Sequence, residues 1–163
     1  MEPKEEIYLL IRDRISEISD IEYVDFNRGQ YAPGKETYPA YDITCLIGIA
    51  NIQWQTMTEQ LQEGVATVEV TLYTRDGFAA THFGTENEND SLAALTLANQ
   101  IAEKLQLLKG NLFKPLEQIK EENLEININA IAAYKLTFIT LIYRKTTSRY
   151  STIENPLKQH QAL

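Results

Sequence analysis

The stretch Gly64-Val-Ala-Thr-Val-Glu-Val-Thr-Leu-Tyr-Thr-Arg-Asp-Gly77 decides the fold class. Between its glycines, Ala66, Val68, Val70 and Leu72 fall on one side, and Thr67, Glu69, Thr71 and Tyr73 on the other. That period of two, carried by β-branched and aromatic residues, marks a strand with one dry and one mixed face. Extended segments lie on both sides of it, and a strongly helical stretch follows. It therefore reads as a central strand in an α+β domain.

Upstream, residues 40–49 alternate in the same way, with Tyr41, Ile43, Cys45, Ile47 and Ile49 on one face. Gly48 is the expected site of a bulge or a close backbone approach. Residues 51–63 are polar but carry Ile52, Trp54, Met57 and Leu61, as the far part of a long hairpin would. Such a hairpin pairs antiparallel, because parallel pairing needs a crossover. Residues 21–26 read as a short strand near an edge. Residues 28–39, with Gly29, Pro33, Gly34 and Pro39, read as a loop long enough to carry function. The chain begins with an amphipathic helix. Pro3 suits its first turn, Glu2, Glu5 and Glu6 suit the positive end of its dipole, and Ile7, Leu10, Ile11, Ile15 and Ile18 form its apolar stripe.

Downstream, residues 78–90 form a second long connection. Leu92, Leu95, Ala98, Ile101, Ala102, Leu105 and Leu108 then recur at helical spacing, and Lys109-Gly110 supplies a stop. Residues 111–122 read as irregular around Pro115, residues 124–131 as a strand, and residues 133–143 as a central strand apolar on both faces in its second half. The expected architecture is one α+β domain over residues 1–145. It has a mainly antiparallel sheet of four to five strands, two helices on one face, and a polar C-terminal tail over 146–163.

Composition narrows the function classes. The 163 residues are 44% hydrophobic and 23% charged, which is ordinary for a globular domain. The formal net charge of -8 leaves no Lys/Arg field for a phosphate backbone; Arg144-Lys145 with Arg149 is a small local patch. No sequence-specific nucleic-acid partner is expected. Cys45 is the single cysteine, so no intrachain disulfide forms, which suits a reducing compartment. Residues 1–6 lack a signal-peptide pattern, and no apolar run approaches the roughly 20 residues that span a bilayer. The expectation is a cytoplasmic protein with no membrane partner.

The residues that carry chemistry are scattered. His82 and His160 have no companion ligand at metal spacing. Cys45 lies in an apolar strand and reads as a small buried hydrophobe. The run Glu86-Asn-Glu-Asn-Asp90 lacks the glycine and terminal glutamate of a calcium loop, and Glu121, Glu122 and Glu125 read as a solvated surface. There is no nucleophile elbow, phosphate loop or dinucleotide turn. Neither catalysis nor a cofactor is expected. Trp54, the only tryptophan, reads equally as an interface anchor or as a cap on one edge of the core.

The order helix, short strand, long hairpin, helix, strand pair is combined with particular strand wording. Tyr38-Pro-Ala-Tyr-Asp-Ile-Thr-Cys-Leu-Ile47 opens the hairpin, Val68-Glu-Val-Thr-Leu-Tyr73 closes it, and Leu136-Thr-Phe-Ile-Thr-Leu-Ile-Tyr-Arg144 ends the domain. In these features, over residues 4–145, the chain resembles the tail-terminator and tail-completion proteins of long-tailed phages and prophages. The resemblance implies a structural, non-enzymatic subunit of a homo-oligomeric ring, typically hexameric, incorporated in the virion tail. That ring would cap the tail tube and meet the head connector. An acidic lumen would let DNA slide through. On this reading the contact residues are Trp54, Met57, Glu69, Tyr73, Tyr31 and Arg144. Two rival readings are a stand-alone binding or adaptor domain that recognises its ligand with residues 28–39, and a small enzyme whose tyrosine and carboxylate pocket no local motif reveals.

Overall fold

The computed structural model describes residues 1–75 and 90–147. His82, His160, Arg149, the acidic run before Asp90, the connection over 78–89 and the tail from 148 lie outside the described residues. The elements run α1 (Pro3–Ser16), β1 (Tyr23–Phe26), β2 (Ile43–Thr58), β3 (Leu61–Arg75), α2 (Asp90–Leu105), β4 (Glu117–Leu124) and β5 (Ile131–Lys145). The fold is α+β: one five-stranded sheet in the order β1-β2-β3-β5-β4, antiparallel throughout except where β1 runs parallel to β2. The stretch that decided the fold class is indeed central, because β3 pairs along its whole length with both β2 and β5.

Both helices cover one face of the sheet. Ala66, Val68, Val70 and Leu72 point toward them and are fully buried, together with Leu136, Phe138 and Ile142 of β5. α1 contributes Ile7, Ile11 and Ile15, all fully buried. α2 is rotated relative to its expected stripe. Ala94, Leu97, Ala98, Ile101 and Leu105 face the core, whereas Leu92 and Leu95 are 58% and 45% exposed. The buried set keeps helical spacing but uses alanines at two positions, and small residues let a helix lie close to a sheet.

Four further expectations are corrected. The bulge in β2 falls at Ala50, between the Ile49–Val68 and Asn51–Thr67 pairs, while Gly48 stays in register with Glu69. One extra residue reverses the alternation, so Cys45 and Ile47 before the bulge and Ile52 and Trp54 after it all meet the same core. Second, α2 ends at Leu105 with Leu107 in the left-handed region (φ 63°), so Gly110 is not its stop. Third, residues 117–124 form β4, although they read as irregular. As an edge strand exposed on both sides, β4 carries no apolar alternation for a sequence reading to find. Fourth, residues 125–130, read as strand, are irregular. Their alternating Ile126 and Ile128, with Leu124, pack onto a second, smaller core instead of pairing in the sheet.

That second core sits on the sheet face opposite the helices. It contains Tyr31, Leu46, Tyr73, Ile131 and Ala133, all buried. The loop over residues 28–42 brings Tyr31 and Tyr38 onto it, so one end of this face is covered by a loop.

Candidate functional site

The six residues singled out from the sequence fall into three separate groups and one isolated position. Trp54 and Arg144 come together at the far end of the hairpin. Trp54 is half-buried against the main core, and the Arg144 guanidinium lies 4.1 Å from its ring centroid. Arg144 also donates from Nε to Gln62 Oε1 at 2.8 Å, which fixes the guanidinium over the ring. β3 makes room for the indole with Gly64, the residue directly opposite Trp54. A Cβ on Gly64 would stand 2.8 Å from the indole Cε3 and 3.0 Å from Ile52 Cγ2. Gly64→Ala is therefore expected to displace the indole, cost about 1–2 kcal/mol and shift the emission of the only tryptophan to the red. Equilibrium denaturation followed by fluorescence checks both effects, and an unshifted spectrum at full stability would contradict this packing.

Tyr31 and Tyr73 form the second group. Their rings stack at 4.0 Å and 12°, and Tyr38 continues the stack at 6.3 Å from Tyr31. The Tyr31 hydroxyl donates to Thr44 Oγ1 at 3.0 Å, deep under the loop. Both ends of the loop are anchored as well. Asp25 accepts hydrogen bonds from the Tyr23 hydroxyl at 2.8 Å, the Phe26 N–H at 2.7 Å and Arg28 Nη2 at 2.6 Å. Burial opposes ionisation of Asp25, but these donors together hold its carboxyl below the usual range. At the other end, Arg75 donates to the carbonyls of Tyr41 and Pro39. The loop's central tyrosines are thus turned into the protein.

Glu69 belongs to a charge network on the open face. Lys135 lies 3.0 Å from Glu69 and 3.3 Å from Glu122, and Lys120 lies 2.6 Å from Glu122. Hydrogen bonding to Glu69 keeps the Lys135 ammonium protonated beyond its ordinary range, and Lys120 followed by Lys135 holds Glu122 low. The diagonal Glu69–Lys135 pair and the directly opposed Lys135–Glu122 pair tie β3, β5 and β4 together across the sheet. Met57 stands apart, 54% exposed near the hairpin turn.

The sequence reading missed a second exposed feature of the hairpin arm. On the open face Val65 and Leu141 are register partners, 40% and 39% exposed, with Ile139 beside them. Each is an ordinary strand residue locally, and among the described residues no helix covers this side of the sheet. Cys45 is fully buried, and burial pushes its thiol far above the usual range. No group of three or more potential metal ligands occurs among the described residues. No helix among them is long and apolar enough to cross a membrane.

No protein-family model matches the chain, and no curated protein matches it either.

Proposed function

We propose that the chain is a structural subunit of a homo-oligomeric ring that terminates a phage or prophage tail tube and joins it to the head connector. The observation that carries this reading is the uncovered hairpin arm. Val65 and Leu141, register partners on β3 and β5, expose apolar surface where the sheet extends past the covering loop, and Met57 is exposed separately near the hairpin turn. Apolar surface gathered on one side of a domain marks a contact that assembly covers. The element order and strand wording shared with tail-terminator proteins supply the kind of assembly. The adaptor reading would rest on residues 33–37 of the loop, which are exposed, since Tyr31 is only 5% exposed.

Light scattering coupled to size exclusion, with negative-stain imaging, tests the proposal. The expected species is a closed ring with a central channel, about six times the 18.6 kDa of one chain. A mass that stays at one chain, both alone and with isolated tail tubes added, would overturn it.

A further inference from the structure

The sheet ends in two unlike edges. β1 pairs with β2 only from Thr44 to Ile47, so from Gly48 to Thr58 β2 has β3 on one side and no described strand on the other. At the opposite end, β4 pairs with β5 and has no described strand outside it. Each edge presents backbone groups that no described strand pairs, a template for another strand, with the Gln118 N–H of β4 already donating to Gln106 Oε1 at 3.1 Å. β4 carries Glu117, Lys120, Glu121 and Glu122, and its register breaks at Ile119. Charges and bulges of this kind deter indiscriminate edge pairing. The β2 stretch from Ile49 to Thr58 has neither a charge nor a proline. Beside it runs a groove of about 550 Å³ between α1 and the strand, with Tyr8, Phe26, Ile49 and Ile52 as its apolar walls and Lys4 and Glu5 at its rim.

We propose that the free edge of β2 takes β4 from a second copy of this chain, joining subunits head-to-tail through one continuous sheet. The inference rests on the ring reading and names the surfaces that would build the ring. Three features select β4 as the occupant. A ring needs a heterologous contact, made by two different surfaces of each copy, whereas β2 pairing with β2 would close a two-fold dimer and stop. Ile119, 55% exposed at the β4 bulge, is an apolar knob on a strand whose one other apolar residue, Leu124, packs onto the second core, and it matches the apolar groove beside β2. Finally, exposed Glu117 and Glu121 with Lys120 on the β4 side would meet exposed Lys4 with Glu5 on the β2 side, so that each surface offers the other an opposite charge. Backbone pairing would supply affinity, and the knob and the charges would select the partner.

The test uses two variants of the full chain altered only at exposed positions. Ile119→Lys drives a charge toward the apolar groove and disables β4. Asn51→Glu with Thr56→Glu places carboxylates against those of β4 and disables β2. Each variant alone is expected to keep the wild-type far-UV circular dichroism and run as a monomer where the wild type forms rings. Mixed in equal amounts, they still share one intact β4 and one intact β2, so the mixture should double in mass to a dimer and go no further. Rings that persist in either variant would overturn the edge pairing and leave the ring reading standing. A mixture that stays monomeric would overturn it as well. A wild type that never assembles, with or without tail tubes, would remove the ring reading and this inference with it.

Discussion

Replacing Glu6 by alanine is expected to destabilise the protein by about 3 kcal/mol, although a glutamate in the first turn of a helix looks like a surface residue. Glu6 is only 8% exposed. Its Oε1 accepts the Asn111 N–H at 3.0 Å and its Oε2 the Leu112 N–H at 2.7 Å, so one carboxylate holds the turn that follows α2 against α1. A hydrogen bond to a charged acceptor contributes about 1.5–3 kcal/mol, and removing the acceptor leaves two half-buried donors without it. Gly110 completes the arrangement: a Cβ there would press on the Phe113 ring and stand 2.6 Å from Glu6 Oε2. Gly110→Ala should therefore destabilise to a comparable degree. Glu6→Gln, which keeps one acceptor oxygen, should lose about half as much. Urea denaturation with unchanged m-values checks all three. A loss under about 1 kcal/mol for Glu6→Ala would mean that water replaces the carboxylate without penalty.

The second large effect lies on the opposite face. Tyr31→Ala should cost about 3–4 kcal/mol, since it deletes a ring stacked on Tyr73 and orphans the fully buried Thr44 hydroxyl. Tyr31→Phe keeps the stack and should cost about 1 kcal/mol. The same pair predicts an alkaline transition. Burial raises the Tyr31 phenol, against the lowering effects of Thr44 and Arg75. Burial, followed by the neighbouring Tyr31, raises Tyr73. Both folded-state values thus lie above the unfolded value of about 10. The stability linked to them is fully present below pH about 10 and is lost as the pH climbs through the raised values. Tyrosinate absorbance near 295 nm should place Tyr31 and Tyr73 among the late-ionising phenols, with their titration coinciding with unfolding, and Tyr73→Phe should move that midpoint upward. Early ionisation of all the tyrosines in a still-folded protein would contradict the buried stack.

β3 was legible because its two faces differ chemically residue by residue, and burial on one side is what the pattern encodes. The hairpin was legible for the same reason as far as Ile49. Past that point, the extra residue at Ala50 changed which side chains meet the core, and nothing in a single strand announces where a bulge will fall. β4 was hidden because its place comes from backbone pairing with β5 and from Lys135 between Glu69 and Glu122, contacts between residues far apart in the chain. The candidate site divided in the same way. Trp54 and Met57 stood out as large side chains in a polar stretch, but no local signal joined Trp54 to Arg144 or Tyr31 to Tyr73. The buried role of Glu6 had no signal at all, because a helix N-terminus favours glutamate whether or not a distant turn needs its carboxylate.

The sequence by itself determined which face of β3 meets the helices, that two amphipathic helices exist, that the domain is α+β, and that Cys45 sits among apolar neighbours; it did not show that Thr71 and Tyr73 on the other face are buried as well. These follow from periodicity and side-chain chemistry, which act over a few residues. The tertiary structure alone decided which strands became edges, which sheet face the 28–42 loop covers, and where Val65, Leu141 and Ile119 remain in solvent. Pairing order and coverage depend on contacts between distant segments, and a local pattern carries no record of its partner.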